Sequence, residues 1–234
     1  MRIAVMGAGG VGGYFGGRLA AAGEDVVFIA RGRHLDAMQQ RGLQIQSALG
    51  DANVSPAKAT DDPSSIGPID MVIFTVKLYD TEAAAQAIKP LIGPDTGVVT
   101  FQNGVTGTQV LSRVLGQEHV IGGVAKIAAV VAGPGLIRHT GTFAELVFGE
   151  LDGTRSARVL ALAQALNAAG VKHQISDDIR LEIWDKMVFL STLSGLTSLM
   201  RSPVGPIRDD PETRLLLQAA LSEALAVAQR PSKR

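Results

Sequence analysis

The sequence predicts an α/β fold: a doubly wound sheet over residues 1–175, followed by a smaller all-helical unit over residues 176–234. Three observations predict it. The first 31 residues read strand, glycine loop, helix, strand. A continuous apolar run at 70–76 (DMVIFTV), of the kind buried in a parallel sheet, and a further strand at 97–101 alternate with helical patterns. Beyond Ser176 the pattern is helical throughout.

In chain order, residues 2–6 (RIAVM) form a short apolar strand that enters Gly7-Ala8-Gly9-Gly10-Val11-Gly12. A helical pattern through Tyr14, Phe15, Leu19 and Ala20 is broken by Gly23, and a second apolar run occupies 26–30. A short helix at 34–41 and a strand at 43–47 follow. Residues 61–68 (DDPSSIGP) are turn chemistry leading into the run at 70–76, which Lys77 ends. An Ala-rich helix at 81–89 closes before Pro90, and the strand at 97–101 ends in Gln102-Asn103-Gly104. Short strands, antiparallel about Gly133-Pro134-Gly135, are expected between 120 and 149. A helix at 154–169 and a strand at 171–175 complete the first unit. Ser176-Asp177-Asp178 offers an N-cap and acidic first-turn residues to a helix ending near 199. Residues 201–206 read as a break and 211–229 as a further helix.

The G-x-G-x-x-G at Gly7, Gly9 and Gly12 follows a strand and opens a helix, the start of a Rossmann-type dinucleotide-binding unit. Gly7 permits the tight turn, Gly9 lets backbone approach a pyrophosphate, and Gly12 lets helix and strand pack closely. The helix N-terminus adds free N–H groups and a positive dipole end, so Gly7, Ala8, Gly9, Gly10, Val11 and Gly12 are candidate cofactor contacts. An NAD site places Asp or Glu about 20 residues after the motif. Here residues 30–33 read Ala-Arg-Gly-Arg. A guanidinium at Arg31 suits a 2′-phosphate, which points to NADP(H). By themselves, Arg31 and Arg33 also read as solvated loop charges. Ligands of such sheets bind beyond the carboxyl ends of the strands, where Arg31, Lys77 and Asn103 also fall.

The 234 residues balance 22 Lys and Arg against 22 Asp and Glu, so nothing in the charge favours nucleic acid or an anionic membrane surface. No stretch approaches the roughly 20 apolar residues of a membrane span. The absence of Cys removes disulfides, thiolate metal sites and a cysteine nucleophile, in keeping with a cytoplasmic location. The first residues enter a strand directly, which argues against a signal peptide. His34, His119, His139 and His173 show no metal-ligand spacing, so no metal is expected.

Several segments, taken in order, resemble the ketopantoate reductase (2-dehydropantoate 2-reductase) family. They are GAGGVGG at 7–13, the strand-end Arg31, TVK ending in Lys77, FQNGV around Asn103, GPGLIRHTG at 133–141, EIWDK at 182–186 and SEALAVA at 222–228. The similarity runs from Met1 to about Ala228. It implies reduction of ketopantoate to pantoate by NADPH, for coenzyme A synthesis. It also implies that Lys186 is the catalytic lysine and that Asn103 lies beside nicotinamide and substrate. Arg31 and Lys77 would be cofactor contacts. The chemistry agrees, because hydride addition to a ketone builds negative charge on oxygen, which an ammonium can stabilise and protonate. Outside the resemblance, Lys186 reads as a solvated helix lysine, Asn103-Gly104 as a turn and Lys77 as a strand end. His139 reads as structural and Trp184 as core.

Two departures from the family pattern stand out. Family members carry asparagines one and two turns after the lysine; here Leu190 and Ser194 stand there, with Thr197 one turn further on. Ser194 and Thr197 are candidate substrate contacts, and Leu190 leaves a different or more apolar 2-oxo acid open. The chain also leaves the pattern after Ala228, where family members continue through further helices bearing a glutamate thought to act in catalysis. A truncation or frame change is therefore expected, with no counterpart to that glutamate. Glu182 and Asp185 flank Lys186 but are expected elsewhere on the helix. Apolar faces at 183–199 and 215–227, expected to be partly uncovered, predict a homodimer through the helical unit or poor solubility. Two other functions stay open: a nucleotide-binding protein with little or no turnover, and a related β-hydroxyacid dehydrogenase with another substrate.

Overall fold

The computed structural model describes residues 1–229, and the chain divides into two units, Met1–Arg180 and Leu181–Arg234. The divergence anticipated after Ala228 lies, but for Gln229, outside the described residues. The first unit runs β1 (Arg2–Met6), α1 (Gly10–Ala21), β2 (Asp25–Ile29), α2 (Gly32–Arg41), β3 (Leu43–Gln46), β4 (Ala52–Val54) and β5 (Lys58–Thr60). It continues through β6 (Met71–Phe74), α3 (Thr81–Ala87), β7 (Gly97–Thr100), α4 (Gly107–Leu115), β8 (Val120–Gly133), β9 (Leu136–Glu150), α5 (Ala157–Ala168) and β10 (Lys172–Ile175). Three further helices follow: α6 (Ile179–Met200), α7 (Val204–Asp209) and α8 (Pro211–Ala228).

One mixed sheet has the order β4-β3-β9-β8-β7-β6-β1-β2-β5, with β10 beside β9. From β5 through β2, β1, β6 and β7 to β8 every pairing is parallel. The order reverses direction of growth at β1, and sheets of this kind take their ligands beyond the carboxyl ends of the strands at such a point. The period-2 alternation of a strand divides β1 between two cores. Ile3 and Val5 pack with Phe15, Leu19, Phe28 and Leu162 on one face. Ala4 and Met6 pack with Phe74, Ala84, Ile88 and Leu111 on the other. Each large side chain so buried contributes on the order of 1.5–3 kcal/mol, and the two cores hold the strand ends rigidly in register.

Helix α1 is enclosed by the sheet rather than laid on one side of it. An added Cβ would come within 2.6 Å of Val5 at Gly16, 2.6 Å of Ile45 at Gly17 and 2.8 Å of Ile137 at Gly13. Only a glycine-rich helix lets β1, β3 and β9 approach together.

The structure corrects several expectations. The segment expected to hold short strands between 120 and 149 is a single hairpin of two long strands, 14 and 15 residues, with register shifts near Ala129 and Gly133. Its Gly- and Ala-rich composition hides that length, while the irregularities let one ribbon pass from the core into solvent. Helix α4 and the three-residue strands β4 and β5 have no counterpart in the sequence reading. The break expected at 201–206 ends by Val204, where Pro206 sits within the first turn of α7 and is tolerated there. Ser176 accepts a hydrogen bond from the Asp178 amide at 3.2 Å, forming a turn before α6 rather than its N-cap.

In the second unit Asp210 caps α8, accepting from the Thr213 amide at 2.9 Å, with Pro211 in the first turn. Thr213 Oγ1 also donates to the Ile207 carbonyl at 2.8 Å, joining α8 to α7. Trp184, expected in the core, is only half-buried. Leu199 and Leu215 are 75% and 67% exposed, and no residue of α8 is fully buried. Among the described residues no helix is long and apolar enough to cross a membrane.

Candidate active site

The end of β1 turns through Gly7, whose φ of +97° lies in the left-handed region that favours glycine. Gly7 and Ala8 amides donate to the Ile29 carbonyl at 3.2 and 3.4 Å, fastening the loop to the end of β2. From the other flank, Thr75 Oγ1 donates to the Gly7 carbonyl at 2.7 Å. Gly9 is the N-cap of α1 in extended conformation, and α1 has neither a capping side chain nor an acidic residue in its first turn. The first helical hydrogen bond is Gly13 N–H to the Gly9 carbonyl, 2.7 Å, so the amides of Gly10, Val11 and Gly12 precede the intrahelical ladder and remain for an anion.

The glycines divide the labour. A Cβ at Gly9 would meet nothing within 4 Å, so the loop presents open space at that point. At Gly12 a Cβ would lie 2.3 Å from the Gly7 carbonyl and 2.4 Å from Thr75 Oγ1, which is close helix–strand packing. An open backbone cradle at the head of a helix fits a dinucleotide pyrophosphate. Ala8 differs from the rest: it is buried, its amide goes to Ile29 and its carbonyl to His34, so it shapes the loop instead of facing a ligand.

Three further candidates stand at neighbouring strand ends. Arg31 follows β2 and is the N-cap residue of α2. Lys77 follows β6, and Asn103 follows β7. All three are exposed, and their side chains have no hydrogen bond or ion pair among the described residues. The first unit therefore brings Gly7–Gly12, Arg31, Lys77 and Asn103 to the same edge of four adjacent parallel strands. Two uncommitted cations beside a row of unpaired amides make that edge suited to a polyanion.

Two residues that the sequence reading passed over organise this edge. Gln102 donates through Nε2 to the Val76 carbonyl at 2.9 Å and to Thr81 Oγ1 at 2.8 Å, while its Oε1 accepts from Thr100 Oγ1 at 3.1 Å. Its amide thus locks the Asn103 loop to the Lys77 loop and leaves Asn103 free. His34, in the first turn of α2, bonds through Nε2 to the Ala8 carbonyl at 2.9 Å and accepts at Nδ1 from the Gly135 amide at 3.1 Å. Burial lowers its pKa from the usual histidine value, only partly opposed by the Ala8 bond, so the ring is neutral near pH 7. The glutamine preceding an Asn-Gly at a strand end was the available signal for Gln102. His34 had none.

His139, expected to be structural, is buried, with Nδ1 2.8 Å from Ser47 Oγ and Nε2 3.1 Å from the Phe143 carbonyl. Among the described residues no group of three or more His, Asp or Glu is placed to hold a metal ion.

The second unit carries Lys186, Leu190, Ser194 and Thr197 on α6. Their spacing of four, four and three residues keeps them on one face, with Lys186 and Ser194 about 12 Å apart along the axis. Lys186 is half-buried and Ser194 exposed. Thr197 Oγ1 donates to the Leu193 carbonyl at 2.7 Å, leaving its lone pairs for a donor. Because α6 is unbroken from Ile179, Glu182 lies one turn before Lys186 on the same face, not elsewhere as expected. Asp185 is adjacent in sequence and about 100° away around the helix.

Comparison with known proteins gives a consistent result. The sequence profile described as "Ketopantoate reductase PanE/ApbA" matches residues 3–153. The one described as "Ketopantoate reductase PanE/ApbA C terminal" matches residues 178–232. The 2-dehydropantoate 2-reductase of Mesorhizobium japonicum is 34% identical over 250 residues, covering 98% of this chain and 76% of that protein. The "Uncharacterized oxidoreductase YkpB" of Bacillus subtilis is 33% identical over 230 residues, covering 98% and 75%. The crystal structure of 2-dehydropantoate 2-reductase from Geobacter metallireducens superimposes with a TM-score of 0.90 at 33% identity, covering 97% of this chain and 75% of that one.

Proposed function

The chain belongs to the ketopantoate reductase family and is an oxidoreductase, and from that premise we propose that it reduces the ketone of a 2-oxo acid with NADPH. The substrate that best fits the relatives is 2-dehydropantoate, giving pantoate for pantothenate and coenzyme A biosynthesis in the cytoplasm. The observation that carries the cofactor reading is Arg31: an exposed guanidinium without a partner among the described residues, at the end of β2 beside the glycine cradle. A planar fork there suits the 2′-phosphate that distinguishes NADPH from NADH.

When bound, the dinucleotide supplies a hydride to the carbonyl carbon. The first-turn amides of α1 hold its pyrophosphate, and Arg31 and Lys77 neutralise its remaining charge. Asn103 offers a carboxamide that orients a neutral or anionic group without adding charge. Lys186 stabilises the developing alkoxide and delivers the proton. Ser194 and Thr197, on the same face of α6 as Lys186, offer hydroxyls to the substrate. The exposed apolar side chains of α6 and α8, Leu199 and Leu215 among them, are the surface through which two copies pair.

Leu190 favours a second reading of the substrate. A leucine one turn after Lys186 cannot donate a hydrogen bond, so a 2-oxo acid with a more apolar side chain fits that face as well. The deciding experiment follows NADPH oxidation with ketopantoate and a panel of 2-oxo acids. Preference for ketopantoate supports the first reading, and preference for an apolar 2-oxo acid supports the second. NADPH binding without turnover on any member of the panel overturns both and leaves a nucleotide-binding protein.

A further inference from the structure

We propose that His34 is a positioning residue for cofactor selection, setting the spacing between the glycine cradle and Arg31. The proposal rests on the NADPH reading above. Arg31 is the N-cap residue of α2, and His34 lies in the first turn of the same helix. Arg31 and His34 are therefore carried by one helical turn. The imidazole reaches the Ala8 carbonyl in the middle of the cradle, 26 residues back in the chain, at 2.9 Å. The Ala8 amide is already held by Ile29, so this bond fixes the remaining backbone polar group of that residue.

The opposite side of the ring is fixed as well. The Gly135 amide, in the turn between β8 and β9, donates to Nδ1 at 3.1 Å. A backbone N–H can only donate, and a carbonyl can only accept. The two bonds therefore dictate one tautomer, bare at Nδ1 and protonated at Nε2. The lowered pKa agrees with a neutral ring. His34 is thus a directional strut, with the hairpin turn behind it and the cradle in front.

NADPH carries its pyrophosphate and its 2′-phosphate at a separation set by one ribose. It therefore senses any shift of Arg31 relative to the cradle. NADH lacks the 2′-phosphate and does not.

The test measures equilibrium binding of NADPH and NADH, with kcat and KM, for the wild type and for His34→Ala, His34→Gln and His34→Asn. The Gln amide nitrogen can reach the position of Nε2 and restore the bond to Ala8. The Asn carbonyl can replace only the acceptor toward Gly135. His34→Ala should weaken NADPH binding roughly tenfold, the scale of one lost hydrogen bond. NADH binding and kcat at saturation should stay within about twofold. His34→Gln should recover most of the loss and His34→Asn little of it. Equal losses for both cofactors, or recovery by Asn but not by Gln, overturns the proposal. Should His34→Ala fail to fold, the Gln–Asn contrast decides alone. A wild type without preference for NADPH would instead refute the cofactor reading, which separates the two failures.

Discussion

The cradle's glycines yield a paired test, because Gly9→Ala and Gly12→Ala insert the same methyl group two different ways. At Gly9 the new Cβ meets nothing within 4 Å, and φ is −76°, comfortable for alanine. Replacing glycine by alanine at an N-cap costs up to about 1 kcal/mol, and the less flexible unfolded chain offsets roughly 0.4–1 kcal/mol of that. The melting temperature should therefore move by no more than about 2–4 °C. The methyl stands where a pyrophosphate must approach the α1 amides, so at least one charge-assisted hydrogen bond is lost. That is about 1.5–3 kcal/mol, or roughly 10- to 150-fold in NADPH affinity. At Gly12 the methyl falls 2.3 Å from the Gly7 carbonyl and 2.9 Å from Val5 Cγ1, both parts of the folded core. Backbone must move, at a cost of about 1–3 kcal/mol or more, and Tm should drop by roughly 2–12 °C. Thermal melting by circular dichroism and NADPH titration by calorimetry read the two effects separately. Wild-type affinity in Gly9→Ala, or equal thermal losses in both variants, would refute the division of roles.

Arg31→Ala should weaken NADPH by roughly 10- to 150-fold and leave NADH within about twofold, read by fluorescence titration; equal losses would remove the 2′-phosphate argument. Lys186→Ala should lower kcat by about 10²- to 10⁴-fold with NADPH affinity nearly unchanged, and turnover within tenfold of wild type would show another proton donor. The hydroxyl of Thr192 is buried without a hydrogen-bond partner among the described residues. Thr192→Val should therefore stabilise the protein by about 1 kcal/mol, a rise in Tm of roughly 2–4 °C; a fall would reveal a partner for that hydroxyl. His34, with its pKa lowered in the fold, binds fewer protons there than in the unfolded chain. Its stabilising contribution is complete above about pH 6.5 and is lost as pH falls through the folded value, so denaturant titrations of His34→Gln should show a flatter acid limb than wild type.

The elements that were legible in the sequence are those whose cause is local. Strands β6 and β7 are buried on both faces, and that alone requires an unbroken apolar run. The glycine loop was legible for the same reason, since a positive φ at Gly7 and a helix packed against Gly12 restrict residue type at the position itself. Strands β4 and β5 escaped because three residues cannot express a period, and each is held mainly by its partner across the sheet. The long hairpin escaped because its small residues carry little hydrophobic signal. Among the candidate site residues, Arg31, Lys77 and Asn103 are polar groups exposed at strand ends, which chain order alone can place. Glu182 was misplaced through arithmetic: four residues are 400° of helix, so it shares the face of Lys186 to within about 40°.

Gln102 and His34 are of another kind. His34 is chosen wholly by backbone groups, Ala8 and Gly135, at separations of 26 and 101 residues. Gln102 is chosen in part that way, by the Val76 carbonyl 26 residues off, beside the hydroxyls of Thr81 and Thr100. A carbonyl or an amide is present at nearly every position whatever the side chain. Nothing in the sequence of Ala8 or Gly135 therefore marks it as the partner of a histidine. Recognition through side chains can leave a pattern in the chain, whereas recognition of backbone leaves one only in the fold. The residues that touch a ligand can thus be proposed from sequence, while those that hold them at the right separation need the structure. His34 is where that distinction acquires a measurable consequence, because the proposed cofactor, NADPH, has two phosphate sites at a fixed separation.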